Sequence, residues 1–271
     1  MKRFAVIGDP IAHSLSPVLH QEIYRQIGVE AVYEKVHVSP DKLSDFMNQN
    51  ELDGFNVTIP HKTTVIPFLN KLDESAEIIG AVNCISRGKG YNTDWGGFLK
   101  AMEFNDVELT EENCVILGAG GAARAVAYAL IKTKVKSITI VNRTEEKAVS
   151  LIQWIKSRSD IRVDSSSLEH VNTSAREHVI INCTPVGMWP DTESVPLDLK
   201  KINETQILVD TIYNPLETKW LKQGKEQGAK IVDGLDMFIA QGLASADIWF
   251  GENISEIVDI EIIRDTLIAT L

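Results

Sequence analysis

Residues 114–143 read CVILGAGGAARAVAYALIKTKVKSITIVNR. A short apolar run leads into a glycine-rich turn. A helical pattern follows, and a second apolar run, SITIV, ends at Val141. That order predicts one β-α-β unit with a tight turn after its first strand. Gly118-Ala119-Gly120-Gly121-Ala122-Ala123 fits G-x-G-x-x-A. The first glycine permits the turn, and the second lets backbone N–H groups approach a pyrophosphate. The small third residue lets helix and strand pack closely. The helix starting here presents unsatisfied N–H groups and a positive dipole end to phosphates.

The end of the unit sets the cofactor preference. Asn142 lies 24 positions beyond Gly118, where a ribose-binding acid is expected in an NAD site. An acid would repel a 2′-phosphate, whereas Arg143 supplies a planar fork suited to one. Thr144 stands at the expected N-cap of the next helix, and Lys147 adds charge one turn on. Arg124 is a further candidate. The reading is NADP over NAD, against the alternative of a solvated turn with ordinary surface charge.

Working outward, 271 residues fit two modest domains better than one. A net charge of −11 argues against non-specific binding to nucleic acid or an anionic membrane. Cys84, Cys114 and Cys183 show no metal-ligand spacing and read as buried, reduced thiols, so no metal and a cytoplasmic location are expected. The start MKRFAVIGD lacks the apolar core of a signal peptide, and no apolar run has the length of a transmembrane helix.

The first hundred residues alternate strand and helix signals. Strands are predicted at 4–8, 31–38, 54–59 (stopping at Pro60) and 81–86, the last followed by the turn 87–90. Helices are predicted from Pro17, from Pro40 and over 95–104. Further strands are predicted at 115–117, 137–141, 178–182, 206–210 and 229–232, and the tail from about Met237 is helical with a break near 251–253. The expectation is an α/β protein: an N-terminal substrate domain with a mostly parallel sheet (1–100 plus 238–271), a Rossmann-type domain (101–237), and a cleft between them.

Polar residues collect at predicted strand ends and turns. Ser14 and Ser16 flank a helix start; capping alone would explain Ser16, but two hydroxyls there also suit a carboxylate. Asn56-Val57-Thr58-Ile59-Pro60-His61-Lys62 ends a buried-type strand, the usual ligand edge of an open α/β sheet. Asn83 and Asn92-Thr93-Asp94 follow nearby turns. A polyol acid needs such amides, hydroxyls and a carboxylate from several segments, although each singly is more often a turn or cap residue.

These residues carry a family resemblance. SLSP (14–17), NVTIPHK (56–62), AVN (81–83), YNTDWGG (91–97), GAGGAA (118–123), NRT (142–144), NCTPVGM (182–188), DTIYNPLET (210–218) and GLDMFIAQG (234–242) occur in the order seen in shikimate dehydrogenases. The chain resembles that family from Phe4 to its last helices. The resemblance implies reversible NADPH-dependent reduction of 3-dehydroshikimate to shikimate, in aromatic amino-acid biosynthesis. It assigns the substrate carboxylate to Ser14 and Ser16, and further substrate contacts to Thr58, Asn83, Asp94, Tyr213 and Gln241. Lys62 becomes the proton-transfer residue, oriented by Asp94, and His61 is set aside because neighbouring strand-end residues point in opposite directions. The cofactor falls to Gly118, Ala119, Gly120, Gly121 and Ala122, to Asn142, Arg143, Thr144, Glu145, Glu146 and Lys147, and to Thr211, Gly234 and Glu74. Small-molecule partners alone, with no nucleic acid or membrane, and a monomer or homodimer are expected. A quinate/shikimate dehydrogenase of broader specificity and a non-catalytic NADP- or shikimate-binding sensor are the alternatives.

Overall fold

The structure, a computed structural model, describes residues 1–167, 178–198, 202 and 204–271. The chain divides into two compact units, Met1–Gly97 with Ile239–Leu271, and Phe98–Phe238.

The first unit contains β1 (Lys2–Gly8), α1 (Ser16–Gln26), β2 (Ala31–His37), α2 (Leu43–Gln49), β3 (Gly54–Val57), β4 (Lys71–Leu72), α3 (Glu74–Ile79), β5 (Cys84–Ser86) and β6 (Lys89–Tyr91). Its sheet runs β2-β1-β3-β5-β6-β4. β1 pairs parallel with β2 and β3, as expected for strands joined by helices. The hairpin β5–β6 is antiparallel, because Arg87 (φ 49°) and Gly88 (φ 74°) form a two-residue turn of the kind that matches strand twist. β4 and β6 span two and three residues, too short to leave a period in the sequence. Alternate residues of β1 enter two cores. Ala5 and Ile7 join Phe55, Val57, Val65, Val82 and Ile85 in one buried cluster. Phe4 stacks on Trp249 at 4.6 Å.

β3 ends at Val57 rather than running to 59. Beyond it the chain coils: the His61 N–H donates to Thr58 O (2.8 Å) and the Val65 N–H to His61 O (3.0 Å). Gly8 makes room for this turn, since a Cβ there would stand 2.5 Å from Thr58 Cγ2 and 2.9 Å from Ile59 O. His61 and Lys62 therefore sit in a turn, and the alternation expected of strand residues does not apply to them.

The second unit contains β7 (Asn113–Leu117), α5 (Gly121–Lys132), β8 (Ser137–Val141), α6 (Glu145–Lys156), β9 (Arg162–Ser166), β10 (Val179–Asn182), β11 (Ile207–Asp210), α7 (Lys219–Glu226) and β12 (Lys230–Val232). The sheet order β12-β11-β10-β7-β8-β9, all parallel, is the dinucleotide-binding order, with its switch point between β7 and β10. Four alanines of α5 (123, 125, 127, 129) are fully buried, combining high helix propensity with close packing. β9, reading RVDSS, has one buried residue, which is why apolar pattern does not reveal it.

The unit boundaries fall inside α4 (Asp94–Phe104) and α8 (Leu235–Phe250); α9 (Ile260–Ile268) closes the chain. Among the described residues no helix is long and apolar enough to cross a membrane.

Candidate active site

In the first unit a polar cluster forms where the turn after β3, the loop before β5 and the start of α4 meet. The Lys62 ammonium donates to Asp94 Oδ2 at 2.6 Å, and the Asn83 amide to Asp94 Oδ1 at 2.7 Å. The Asp94 side chain is 6% exposed and that of Lys62 17%, so one carboxylate is held between a cation and an amide in poor contact with water. Backbone bonds fix the two supporting segments. The Val82 N–H donates to Lys62 O (2.7 Å), the Val57 N–H to Asn83 O (2.8 Å), and the Thr93 N–H to Asn83 Oδ1 (2.7 Å).

Gln241 reaches this cluster from α8. Its Oε1 accepts from Asn83 Nδ2 at 3.3 Å, the longest of that amide's three contacts, the others being Asp94 Oδ1 and Thr93 Oγ1 at 2.9 Å. Behind them lies a buried layer that sequence reasoning did not assign. Asn56 Nδ2 donates to Asn83 O (3.1 Å) and to Ser245 Oγ (2.9 Å), and the Tyr33 hydroxyl donates to Asn56 Oδ1 (2.7 Å). A polar Asn56 inside an otherwise apolar strand was the available signal; Ser245 in its helix left none.

Ser14 and Ser16 bond to each other. The Ser14 hydroxyl donates to Ser16 Oγ (3.0 Å) and accepts the Ser16 N–H (3.2 Å). Ser16 is not the helix cap that the sequence suggested: α1 begins at Ser16, Leu15 holds the cap position, and no side chain caps it. The Ser14 hydroxyl takes the nearby N–H instead, because it lies two residues upstream in the Ser-x-Ser turn. Thr58 sits at the head of the turn that carries Lys62, its N–H donating to Ile7 O (2.9 Å). His61 is 1% exposed, and its Nε2 lies 2.6 Å from Val38 O. A carbonyl only accepts, so Nε2 carries the hydrogen and the ring pins the turn to the residue after β2. Glu74 opens α3, whose first turn is capped by the Asp73 carboxylate.

In the second unit Gly118 has φ 111°, and a Cβ there would lie 3.2 Å from the Cys183 carbonyl. The glycine turn is therefore demanded twice, by its backbone angle and by the neighbouring loop. Gly120 caps α5 without a side chain, and a Cβ on it would meet nothing within 4 Å. Open space beside uncapped N–H groups, flanked by Gly121 and Ala122, fits a pyrophosphate. Asn142 Nδ2 donates to Thr144 O (2.7 Å), shaping the turn before α6. Arg143, Thr144, Glu145, Glu146 and Lys147 are all exposed around that helix start. Thr144 holds the N-cap position, yet its hydroxyl makes no capping bond, which leaves it available to a ligand.

Thr211 and Tyr213 lie on the loop after β11 in this same unit. Thr211 donates both its N–H (3.0 Å) and its hydroxyl (2.9 Å) to Asn182 O, and Tyr213 stacks on Phe238 at 4.2 Å. Gly234 is needed for packing: a Cβ would lie 2.6 Å from Thr211 O and Ile212 O. Arg124 stands over the Trp154 ring at 6.0 Å, and Arg158 lies 5.0 Å from the same ring. Burial pushes the thiols of Cys84, to about 12, and Cys114 upward, which makes both poor nucleophiles.

Comparison with known proteins agrees with both units. Residues 6–85 match the family model described as shikimate dehydrogenase substrate binding domain, and residues 99–210 match the one described as shikimate / quinate 5-dehydrogenase. The shikimate dehydrogenase (NADP(+)) of Nitrosopumilus maritimus (strain SCM1) is 40% identical over 258 residues, covering 92% of this chain and 93% of its own. A crystal structure of a shikimate dehydrogenase in complex with NADP+ superposes with a TM-score of 0.91 at 37% identity, covering 100% of this chain and 96% of that one. The shikimate 5-dehydrogenase of Thermus thermophilus, in complex with NADP(H) and shikimate, gives 0.83 at 32% identity, covering 98% of this chain and 100% of that one. With the two family models together spanning most of its length, the chain belongs to the shikimate dehydrogenase family.

Proposed function

We propose that this chain catalyses the reversible, NADP-linked reduction of 3-dehydroshikimate to shikimate, with Lys62 as the proton-transfer residue. The observation that carries the reading is the Lys62–Asp94–Asn83 cluster, a positioned ammonium in a largely buried polar site. When bound, NADPH supplies the hydride. Lys62 then meets the developing alkoxide with charge and a proton. Asp94 spends one of the lysine's three N–H groups, which leaves the others for substrate oxygen, and holds the ammonium in place.

In this reading Ser14 and Ser16 hold the carboxylate, with the Ser16 hydroxyl hydrogen left to donate. Asn83 and Asp94 take ring hydroxyls, Thr58 makes a further substrate contact, and Tyr213 and Gln241 complete substrate binding. Residues 118–122 take the pyrophosphate and 142–147 the 2′-phosphate, Thr211 and Gly234 serve the nicotinamide half, and Glu74 is a further cofactor-side position. Residues 1–100 with 238–271 then act as the substrate domain and 101–237 as the cofactor domain. We place this activity in the cytoplasm, carried by a monomer or homodimer.

Purified protein mixed with shikimate and NADP+ should generate reduced nicotinamide, followed by absorbance. Folded protein giving no signal would return the reading to a ligand-binding sensor. The family description also covers quinate. Kinetics with quinate and NAD+ alongside shikimate and NADP+ separate a broad-specificity enzyme from a dedicated one, and Arg143 speaks against a preference for NAD+.

A further inference from the structure

Two buried polar residues in the second unit have no part in the reading above. Asn182 and Asp210 end the adjacent parallel strands β10 and β11 and stand opposite each other in register. They are 0% and 1% exposed. Asn182 Nδ2 donates to Asp210 Oδ1 (3.0 Å) and to Val186 O (3.3 Å), while Asn182 Oδ1 accepts both the N–H (3.0 Å) and the hydroxyl (2.7 Å) of Thr184. Asp210 Oδ1 also accepts the Ile212 N–H (3.0 Å), and Oδ2 accepts the Thr218 hydroxyl (2.9 Å). The donors from Thr184, Ile212 and Thr218 belong to loops at the carboxyl edge of the sheet, beside the switch point where such folds bind their ligands.

We infer that Asp210, acting with Asn182, is a positioning residue for the nicotinamide end of the cofactor site, tying the loop after β10 to the loop after β11. Thr211 is clamped between them: its N–H and hydroxyl both reach Asn182 O, and the next N–H reaches Asp210. Tyr213 follows directly. Two buried polar side chains at the ends of apolar strands are costly unless they are fully bonded, and an apolar pair would fill the same space without that cost. Burial pushes the Asp210 carboxyl up to about 7 despite its three donors, and Asp233 adds to the rise. The carboxylate sits where it is poorly solvated, and what it supplies in return is loop geometry. The inference rests on the proposed function only in taking Thr211 and Tyr213 as ligand-facing.

The test compares Asp210→Ala with Asp210→Asn, using two probes by calorimetry: NADP+, and adenosine 2′,5′-bisphosphate, which is its adenine half alone. Asp210→Ala should weaken NADP+ while leaving the bisphosphate unchanged, and should lower kcat for shikimate by about 10- to 100-fold, the scale of a misplaced reacting group. Asp210→Asn should restore both properties, because its amide oxygen keeps the two Oδ1 bonds and its NH2 can donate to Thr218. Parallel loss of both probes would make Asp210 merely structural, and unchanged kcat with unchanged NADP+ affinity would also overturn the inference. If Asp210→Ala does not fold, Thr184→Val severs the same loop at its edge and should lower kcat where Asp210→Asn does not; wild-type behaviour in both variants overturns it. Wild-type protein inert toward shikimate, with the contrast between the two probes intact, would sink the proposed function and leave this inference standing.

Discussion

At the scale of single residues, the proposed chemistry rests on Lys62 and the proposed cofactor choice on Arg143. The Lys62 ammonium lies 2.6 Å from a carboxylate that Asn83 also holds, so removing it deletes a positioned proton donor and leaves Asp94 in place. Lys62→Ala should reduce kcat by about 10²- to 10⁴-fold with KM for shikimate little changed; near-normal turnover in steady-state kinetics would remove Lys62 from its role. Arg143 is exposed at the start of α6, where its guanidinium can fork onto a 2′-phosphate. A charged hydrogen bond of about 1.5–3 kcal/mol corresponds to a loss of about 10- to 100-fold, so Arg143→Ala should raise KM for NADP+ by that factor. KM for NAD+ should stay where it was. An equal effect on both cofactors would show that Arg143 does not read the phosphate.

At the scale of elements, β3 and α8 depend on a contact that no local pattern announces. Trp249 on α8 lies over Gly54 at the start of β3 and donates its indole N–H to Ile85 O (3.0 Å). A Cβ on residue 54 would stand 2.5 Å from Trp249 Nε1 and 2.9 Å from Ile85 O, one of them backbone and the other locked in a stack with Phe4. Gly54→Ala should therefore destabilise the protein by about 1–3 kcal/mol, the usual cost of overpacking. The measurement is the midpoint of urea unfolding followed by tryptophan fluorescence, and an unmoved midpoint would refute the packing account. The same contact holds α8 in place, and with it Gln241 and Ser245 against the cluster around Asn83.

For the molecule as a whole, pH tests the buried His20. It is fully buried, neither ring nitrogen has a partner at good hydrogen-bond geometry among the described residues, and it stacks on Tyr33 at 4.3 Å. Desolvation pushes it down from 6.5 to about 3, with Asn56 opposing the shift. The unfolded chain protonates this histidine below about pH 6.5, whereas the folded chain resists until about 3. Its contribution is thus complete above pH 6.5 and is lost as pH falls toward 3, on the order of 2 kcal/mol by pH 5. His20→Phe keeps the ring stack and should flatten that acid limb in urea titrations between pH 7.5 and 5. Equal slopes for the two proteins would exclude His20 as the cause.

Much of this was legible along the chain. The apolar runs of β1, β7, β8, β10 and β11, the glycine turn at Gly118 and the Asn142-Arg143 ending follow from side-chain sterics and hydrogen-bonding capacity within a few residues of each other. Segments without such a local signature stayed hidden. β4 and β6 are too short for a period, β9 is a polar edge strand, and the coil after Val57 depends on Gly8 in another strand. The polar layer was hidden for the same reason. Asn83 meets Gln241 across 158 positions, and Asn56 meets Ser245 across 189. The sequence by itself determined the α/β class, the dinucleotide turn and the residue types at the carboxyl strand ends, because those depend on near neighbours. Only the tertiary structure decided that Asp94 is shared between Lys62 and Asn83, and that Asn182 and Asp210 join two loops. Those bonds exist only once packing has brought distant segments together and removed the water that would otherwise compete for them.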